Sequence, residues 1–220
     1  MKRLFIIVEG QTEEEFVKTI LRNYLISKNI YVVHPIKIQT SKSQKGGFVN
    51  YEHLKNDVNR LLKSQSDIFV STLVDFFKIP TNVPKYDQSM KLRTSNLKVE
   101  ALERAMKDNI SDDRFLPYIQ LYEFEALLFS SNKGFNSFWS SEPRVIKDIE
   151  NIIDKYPNPE DINDNPNTAP SKRLLDIIKD YNKIVYGNLI AQEIGIEAII
   201  EKCPRFRNWV ETLVTKLEEK

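Results

Sequence analysis

The chain has 220 residues, of which 41% are hydrophobic and 29% charged, and its 32 basic and 31 acidic side chains leave a net charge of +1. This composition is typical of a globular protein and excludes a disordered or fibrous class, while the balanced charge means that any nucleic-acid binding would depend on a local basic patch. The single cysteine, Cys203, excludes an internal disulfide, and no apolar run approaches the roughly 20 residues that cross a bilayer. A cytoplasmic location without membrane contact is therefore predicted.

The N-terminal part of the sequence alternates predicted strands and helices. The apolar run at residues 4–8 (LFIIV) predicts a strand that is buried on both faces, and Thr12 with Glu15 predicts the capping box of the helix that follows. Glu13 and Glu14 are predicted to be solvated acids in its first turn. Further strands are predicted at residues 31–40, 67–75 and 115–121, helices at residues 51–63 and 95–109, and a long loop at residues 76–93.

From about residue 131 the sequence predicts helices without strands. These helices are predicted at residues 145–156, 171–181, 190–202 and 206–220, with a loop rich in Asn, Asp and Pro at residues 158–170. The pattern indicates an α/β fold with a mainly parallel sheet. We expect an α/β core at residues 1–130 and a helical extension at residues 131–220 that packs on the core, so that both form one structural domain.

Acidic residues follow three of the predicted strands. Glu9 comes after the first strand, Asp75 ends the third, and Glu123 and Glu125 follow the fourth. Ligands of open α/β sheets bind outside the carboxyl ends of the strands, and carboxylates gathered there repel one another unless a hard cation offsets their charge. The sequence therefore predicts a Mg²⁺ or Mn²⁺ site for phosphodiester chemistry, with these four acids as catalytic candidates and the first three as metal ligands. The alternative for each acid taken singly is a helix cap or a solvated side chain.

Basic residues at two places are candidates for contact with phosphate. Lys172 and Arg173 follow Ser171 at a predicted helix start, where the helix dipole disfavours cations and where phosphate contact would explain them. Lys45 lies in a polar loop at residues 41–50 that could contact a nucleic-acid backbone. A solvated basic pair and an ordinary surface loop are the respective alternatives.

Five motifs together resemble a known family. They are residues 9–13 (EGQTE), 73–77 (LVDFF) with Pro80, 117–128 (PYIQLYEFEALL), 169–173 (APSKR) and 203–206 (CPRF). The set spans nearly the whole chain and is similar to the bacterial family called domain of unknown function 4276. Residues 8–13 also resemble the first motif of the Toprim fold, which topoisomerases, primases and the overcoming-lysogenization-defect nucleases share.

This resemblance implies a Toprim-like, that is Rossmann-like, sheet with flanking helices and a helical extension at the C-terminal end. It implies that Glu9 is a general acid/base or metal-linked residue and that Asp75 is a metal ligand. Toprim domains usually carry Asp-x-Asp as their second motif, whereas this chain has Phe77 at the second position. Glu123 or Glu125 would have to supply the missing carboxylate, or the metal site is weak or absent. Members of the family resemble partners of ATPases in phage-defence or mobile-element loci.

Three functions follow as hypotheses from these observations. The first is a metal-dependent nuclease, or nuclease-like effector, that acts on DNA or RNA. The second is a non-catalytic, Toprim-like regulatory subunit that binds an ATPase, which the missing acid at Phe77 motivates. The third is hydrolysis or transfer on a small phosphorylated substrate, for which the sequence offers no specific residue. The sequence contains no P-loop motif, so any ATP hydrolysis would come from a partner, and an oligomer is compatible with the sequence.

Overall fold

The structure is a computed structural model that describes residues 2–38, 47–162 and 167–218. The chain forms two compact units: the first comprises Met1–Leu121 with Thr212–Lys220, and the second comprises Tyr122–Glu211. The segment after Leu121 packs with the helices of the second unit. The last residues of the chain return to the first unit, which the sequence alone did not indicate.

A parallel sheet forms the centre of the first unit. Its strands have the order β2-β1-β3-β4, and β5 extends the pairing along β3. The strands are β1 (Arg3–Val8), β2 (Val33–Lys37), β3 (Ile68–Asp75), β4 (Phe115–Leu116) and β5 (Ile119–Gln120). Each described pairing between them is parallel. The α/β fold with a mainly parallel sheet that the sequence predicts is confirmed.

The central strands β1 and β3 are buried because most of their side chains are apolar, on both faces of the sheet. Leu4, Ile6, Ile7 and Val8 are fully buried, and in β3 every residue before Asp75 is buried. Burying each such aliphatic side chain contributes about 1.5–3 kcal/mol relative to exposure. The two strands lie side by side in register, with Val8 opposite Leu73, so that they end at the same edge of the sheet.

The predicted strand at residues 115–121 is divided into β4 and β5 by Pro117. Proline has no N–H to donate to a neighbouring strand, so the ladder along β3 is interrupted there. Side chains of β3 bridge the gap: the Ser71 hydroxyl donates to the Leu116 carbonyl at 2.6 Å, and the Thr72 hydroxyl donates to the Tyr118 carbonyl at 2.7 Å. The Tyr118 N–H in turn donates to the Thr72 Oγ1 at 2.8 Å. Polar side chains of a buried strand thus replace the backbone bonds that Pro117 removes.

Helices follow the strands of the first unit. They are α1 (Gln11–Phe16), a π-helical turn (Val17–Leu21), α2 (Arg22–Ser27), α3 (Tyr51–Ser64), α4 (Tyr86–Met90) and α5 (Ser95–Ile110). The Asn50 side chain caps α3 by accepting from the Glu52 N–H, and the Thr94 side chain caps α5 by accepting from the Leu97 N–H. Helix α4 lies within residues 76–93, so the long loop predicted there is in part helical.

The predicted capping box of the first helix is wrong. Helix α1 begins at Gln11 after the extended residue Gly10, and no side chain caps it. Thr12 is therefore already inside the first turn, where it is buried, and Glu15 is exposed to solvent.

The second unit is helical. It contains two 3₁₀ helices (Phe124–Ser130 and Pro159–Asp161) and the helices α6 (Lys133–Trp139), α7 (Pro143–Lys155), α8 (Pro170–Ile177), α9 (Lys183–Ile194) and α10 (Ile196–Lys202). Helix α11 (Pro204–Glu218) belongs to this unit as far as Glu211. The predicted helix at residues 190–202 is broken by Gly195, whose φ of 83° is easily adopted only by glycine. Across the described ranges of the chain, no helix combines the length and apolar character needed to cross a membrane.

Candidate functional site

Glu9 and Asp75 meet at the carboxyl edge of the sheet in the first unit. Glu9 directly follows β1, and Asp75 is the last residue of the adjacent parallel strand β3. The Asp75 backbone N–H donates a hydrogen bond to the Glu9 Oε2 at 3.3 Å. Both residues are half-buried. Two residues that are 66 positions apart in sequence are therefore neighbours at this edge.

The residues after Glu9 hold its backbone in place. Gly10 is extended (φ −139°), and a Cβ at this position would lie only 2.9 Å from the Glu13 Oε2. The Glu9 carbonyl accepts a hydrogen bond from the Gly47 N–H at 2.8 Å, which ties the chain after residue 46 to the end of β1. A side chain at Gly10 would therefore displace the Glu13 carboxylate from its position beside the turn.

The prediction that Glu13 and Glu14 are solvated acids is wrong. Glu13 is only 2% exposed because it lies under the turn that Gly10 makes. Glu14 forms ion pairs with Lys18 at 2.7 Å and with Lys37 at 2.8 Å. Partial burial on its own would raise the pKa of Glu14, but the hydrogen bonds and charges of these two lysines hold this pKa below its ordinary value.

Gln120 is a polar residue of this edge that sequence reasoning did not identify. It is fully buried in β5 and pairs in register with Asp75. Its side-chain oxygen accepts from the Tyr118 hydroxyl at 2.8 Å, and its carbonyl accepts from the Phe76 N–H at 2.9 Å. The feature of the sequence that could have identified Gln120 is a glutamine inside an otherwise apolar predicted strand. Gln120 thereby fixes the position of Phe76, the first residue after β3.

The position two residues after Asp75 carries an aromatic ring, with a cation beside it. The Lys78 Nζ lies 5.2 Å from the centroid of the Phe77 ring, within the range of a cation–π contact. Lys78 has a φ of 59°, which turns the chain away from the strand direction directly after β3. The segment after Asp75 therefore supplies no second carboxylate at this position.

In the second unit, Glu123 caps helix α8. Its Oε2 accepts the Ser171 backbone N–H at 2.9 Å. The helix begins at Pro170, after Ala169, so Ser171 lies in its first turn. A carboxylate at this helix start satisfies a backbone donor and interacts favourably with the helix dipole. The N-terminus of α8 thus holds an anionic group from the chain itself.

Arg173 and Lys172 have different surroundings on α8. The Arg173 Nε donates to the Thr168 carbonyl at 2.8 Å, and its guanidinium lies 5.4 Å from the centroid of the Tyr156 ring. Lys172 is exposed to solvent. Arg173 therefore has a structural role in holding the loop before α8, and Lys172 is the cation of this pair that a ligand would reach. Lys45, the other predicted phosphate contact, lies outside the described residues.

Glu125 is buried inside the second unit, in the 3₁₀ helix that precedes α6. Its Oε1 lies 3.2 Å from the Lys183 Nζ, so the buried charge is compensated by a partly exposed lysine. Burial and the Glu125 charge both raise the pKa of the Tyr181 hydroxyl, which stays protonated at neutral pH. Glu125 therefore takes part in an ion pair with Lys183 within the second unit.

Cys203 is also a buried group of the second unit, and its Sγ lies 3.4 Å from the Ser130 hydroxyl. Burial, together with the charge of Glu160, raises the pKa of the Cys203 thiol well above its ordinary value. A thiol in this state is a poor nucleophile, because the thiolate is the reactive form.

Glu9 and Asp75 are the acidic residues that a metal ion could use at this edge of the sheet. In residues 2–38, 47–162 and 167–218, no group of three or more His, Cys, Asp or Glu side chains is placed to hold a metal. Mg²⁺, however, typically takes one or two protein carboxylates and completes its shell with water and substrate phosphates. The oxygen donors of Glu9 and Asp75 therefore fit a hard divalent cation of this kind.

Comparisons with known proteins agree with this architecture. The family model described as Domain of unknown function (DUF4276) matches residues 8–214. Among solved structures, the C-terminal region of the Burkholderia pseudomallei OLD protein is similar, with a TM-score of 0.53, 16% identity, and 99% of each chain covered. The C-terminal region of the Xanthomonas campestris pv. campestris OLD protein has a TM-score of 0.51 and 12% identity, with 99% of this chain and 97% of that chain covered. At these identities the likeness shows a shared fold. A search of curated proteins found no match.

Proposed function

The chain belongs to the family described as Domain of unknown function (DUF4276), and from this premise we propose that it is a Toprim-like nuclease that hydrolyses phosphodiester bonds in nucleic acid. Glu9 and Asp75 would hold Mg²⁺, or Mn²⁺ in its place. One observation carries the proposal: the Asp75 N–H donates to the Glu9 carboxylate at 3.3 Å, which brings two acids together at the carboxyl ends of adjacent parallel strands. Ligands bind at this edge in open α/β sheets.

In this proposal the protein fixes two carboxylates at the edge of a rigid sheet. The Asp75 N–H orients the Glu9 side chain, and the bond from the Phe76 N–H to the Gln120 carbonyl holds the chain that follows. A bound cation would stabilise charge on a phosphoryl oxygen and make a bound water more acidic. Glu123 caps α8 and Glu125 pairs with Lys183, so we assign these two acids to the stability of the second unit rather than to metal binding.

The requirement for metal is tested first. We expect the purified protein to cleave DNA or RNA when Mg²⁺ or Mn²⁺ is present, to lose this activity in excess EDTA, and to regain it when the metal is restored. Calorimetric titration of the metal-free protein with Mn²⁺ should show binding that Asp75→Asn abolishes. If the wild-type protein binds no Mg²⁺ or Mn²⁺ at millimolar concentrations, the metal-dependent nuclease is excluded.

A second candidate is a non-catalytic regulatory subunit that binds an ATPase in bacterial defence, in the cytoplasm. The observation that favours it is the ring of Phe77, with its Lys78 contact, at the position where the second acid of Asp-x-Asp would stand. Co-purification with an ATPase, combined with full phage resistance of cells that carry Asp75→Asn, would favour this candidate. Loss of resistance in the same variant, while the ATPase complex persists, would favour the nuclease.

Lys172 is the residue of the APSKR motif that we expect to contact a phosphate backbone. Replacing it with alanine should weaken nucleic-acid binding to a similar extent for all sequences. The slope of log affinity against log salt should also fall by about one, as expected when one phosphate contact is lost. Fluorescence anisotropy at several salt concentrations measures both quantities. Lys179→Ala, which removes another exposed lysine of the second unit, is the matched control. An unchanged slope in Lys172→Ala would exclude this contact.

A further inference from the structure

A cleft of about 550 Å³ lies in the first unit, away from Glu9 and Asp75. Phe69, the second residue of β3, lines it together with both residues of β4. Strand β3 ends at Asp75, six residues after Phe69, so the cleft lies at the opposite end of this strand, about 20 Å from the carboxyl edge. Its volume is within the range of about 300–1,000 Å³ that is typical of small-molecule sites.

One side of the cleft is apolar and aromatic. Phe69 and Phe115 are 5% and 1% exposed, so their rings are held by the core, and Leu116 and Pro117 complete this wall. The wall is rigid because its residues belong to or adjoin paired strands, with the Ser71 hydroxyl bonded to the Leu116 carbonyl. Three of these four side chains are buried, so the apolar surface that a ligand can reach on this side is small, and Leu116 is its partly exposed residue.

Three cations line the cleft as well, namely Arg104 and Lys107 of α5 and Lys216 of α11. The Lys107 Nζ donates to the Asp112 carbonyl at 2.6 Å and lies 3.7 Å from the Asp113 Oδ1. Partial burial lowers the pKa of Lys107, in opposition to the charges of Asp113 and Asp112, so an additional anion would be favourable there. Arg104 is exposed, and within the described part of the chain its guanidinium has no ion-pair partner.

The acids of the cleft compensate these cations only in part. The Glu103 Oε1 accepts the Ile119 N–H at 2.8 Å, so this carboxylate is used to hold β5 beside α5. The Asp113 side chain is fully exposed to water, where its charge is screened. The lining therefore carries three cations against two acids, a small excess of positive charge beside an apolar side.

We propose that this cleft binds a small organic anion that carries a phosphate. Arg104 and Lys107 contact the phosphate, and the organic body lies at the apolar side of the cleft, beside Leu116. A nucleoside monophosphate has this chemistry, either as a free molecule or as the phosphorylated end of a strand. The site is independent of the proposed nuclease function, because it uses none of the residues at the carboxyl edge.

The test is calorimetric titration of the full chain with adenosine 5′-monophosphate. We expect binding by the wild-type protein that Arg104→Glu weakens by about tenfold or more, since a charge-assisted contact is replaced by repulsion. Arg104 is exposed, so this variant is expected to fold, and Lys107→Ala tests the second cation. Lys98→Glu is the matched control, because it makes the same charge reversal on the same helix at a residue that does not line the cleft. The control should bind like the wild type.

Two results would overturn the inference: no binding at millimolar adenosine 5′-monophosphate, or equal weakening by Arg104→Glu and Lys98→Glu, which would indicate non-specific attraction. Competition experiments distinguish a free nucleotide from the phosphorylated end of a strand as the ligand. Displacement by a 5′-phosphorylated oligonucleotide, but not by its unphosphorylated form, supports a strand end, and resistance to both supports a free nucleotide. Glu9→Gln should leave this binding unchanged, so failure of the nuclease proposal and failure of this one give different results.

Discussion

Replacing Glu9 with glutamine is expected to reduce metal-dependent cleavage of nucleic acid by more than about 100-fold. Removing a residue that only supports a metal ligand costs up to about 100-fold, and Glu9 is proposed to hold the metal directly. Glutamine keeps the size of the side chain and can still accept the hydrogen bond from the Asp75 N–H, so the turn at Gly10 should be preserved. It removes the negative charge that a hard divalent cation requires. Asp75→Asn removes the second charge and should have an effect of similar size.

A matched control separates loss of the site from a general change in charge. Glu15→Gln makes the same chemical change six residues later, at an exposed position of the first helix. It should retain wild-type cleavage and wild-type Mn²⁺ binding. Thermal unfolding should show that Glu9→Gln and Asp75→Asn keep the stability of the parent protein. If both variants fold, and either one cleaves within a few-fold of the wild type, Glu9 and Asp75 do not form the catalytic pair.

The sheet of the first unit could be predicted because its signals are local. The run LFIIV and the run of apolar residues before Asp75 are strands in the structure, and both are buried on the two faces as continuous apolar runs imply. The points at which a predicted strand or helix is interrupted were harder to predict. Pro117 divides one predicted strand, and Gly195 divides one predicted helix, because single residues act there against a favourable apolar pattern.

The proximity of Glu9 and Asp75 follows from the topology that the sequence indicated, since adjacent parallel strands end at the same edge. The environments of Glu123 and Glu125 could not be predicted in the same way. Each is defined by a partner about 50 residues later, the Ser171 N–H for Glu123 and the Lys183 Nζ for Glu125. Such contacts depend on how helices pack and leave no periodic pattern in the sequence. The burial of Glu13 also depends on packing, because a first-turn acid is exposed on most helices.

The second large effect is expected at Glu160, which is fully buried in the second unit. Its two carboxylate oxygens accept the backbone N–H groups of Arg205 at 2.8 Å and of Phe206 at 3.1 Å, at the start of helix α11. Glu160→Ala removes both acceptors and leaves buried N–H groups without compensation. We expect the free energy of unfolding of this unit to fall by about 3–5 kcal/mol, since bonds to a charged acceptor contribute about 1.5–3 kcal/mol each.

Tryptophan fluorescence makes this loss measurable for the second unit alone. The chain has two tryptophans, and both Trp139 and Trp209 are buried in that unit. Urea unfolding followed by their emission should therefore show a lower midpoint for Glu160→Ala, whereas Glu201→Ala, an exposed change in the neighbouring helix α10, should leave the midpoint unchanged. Glu160→Gln should be intermediate, because its amide offers one acceptor where the carboxylate offers two. A midpoint of Glu160→Ala equal to that of the parent would mean that solvent or a rearranged α11 start satisfies the two N–H groups, and that the carboxylate is not the cap that holds this helix.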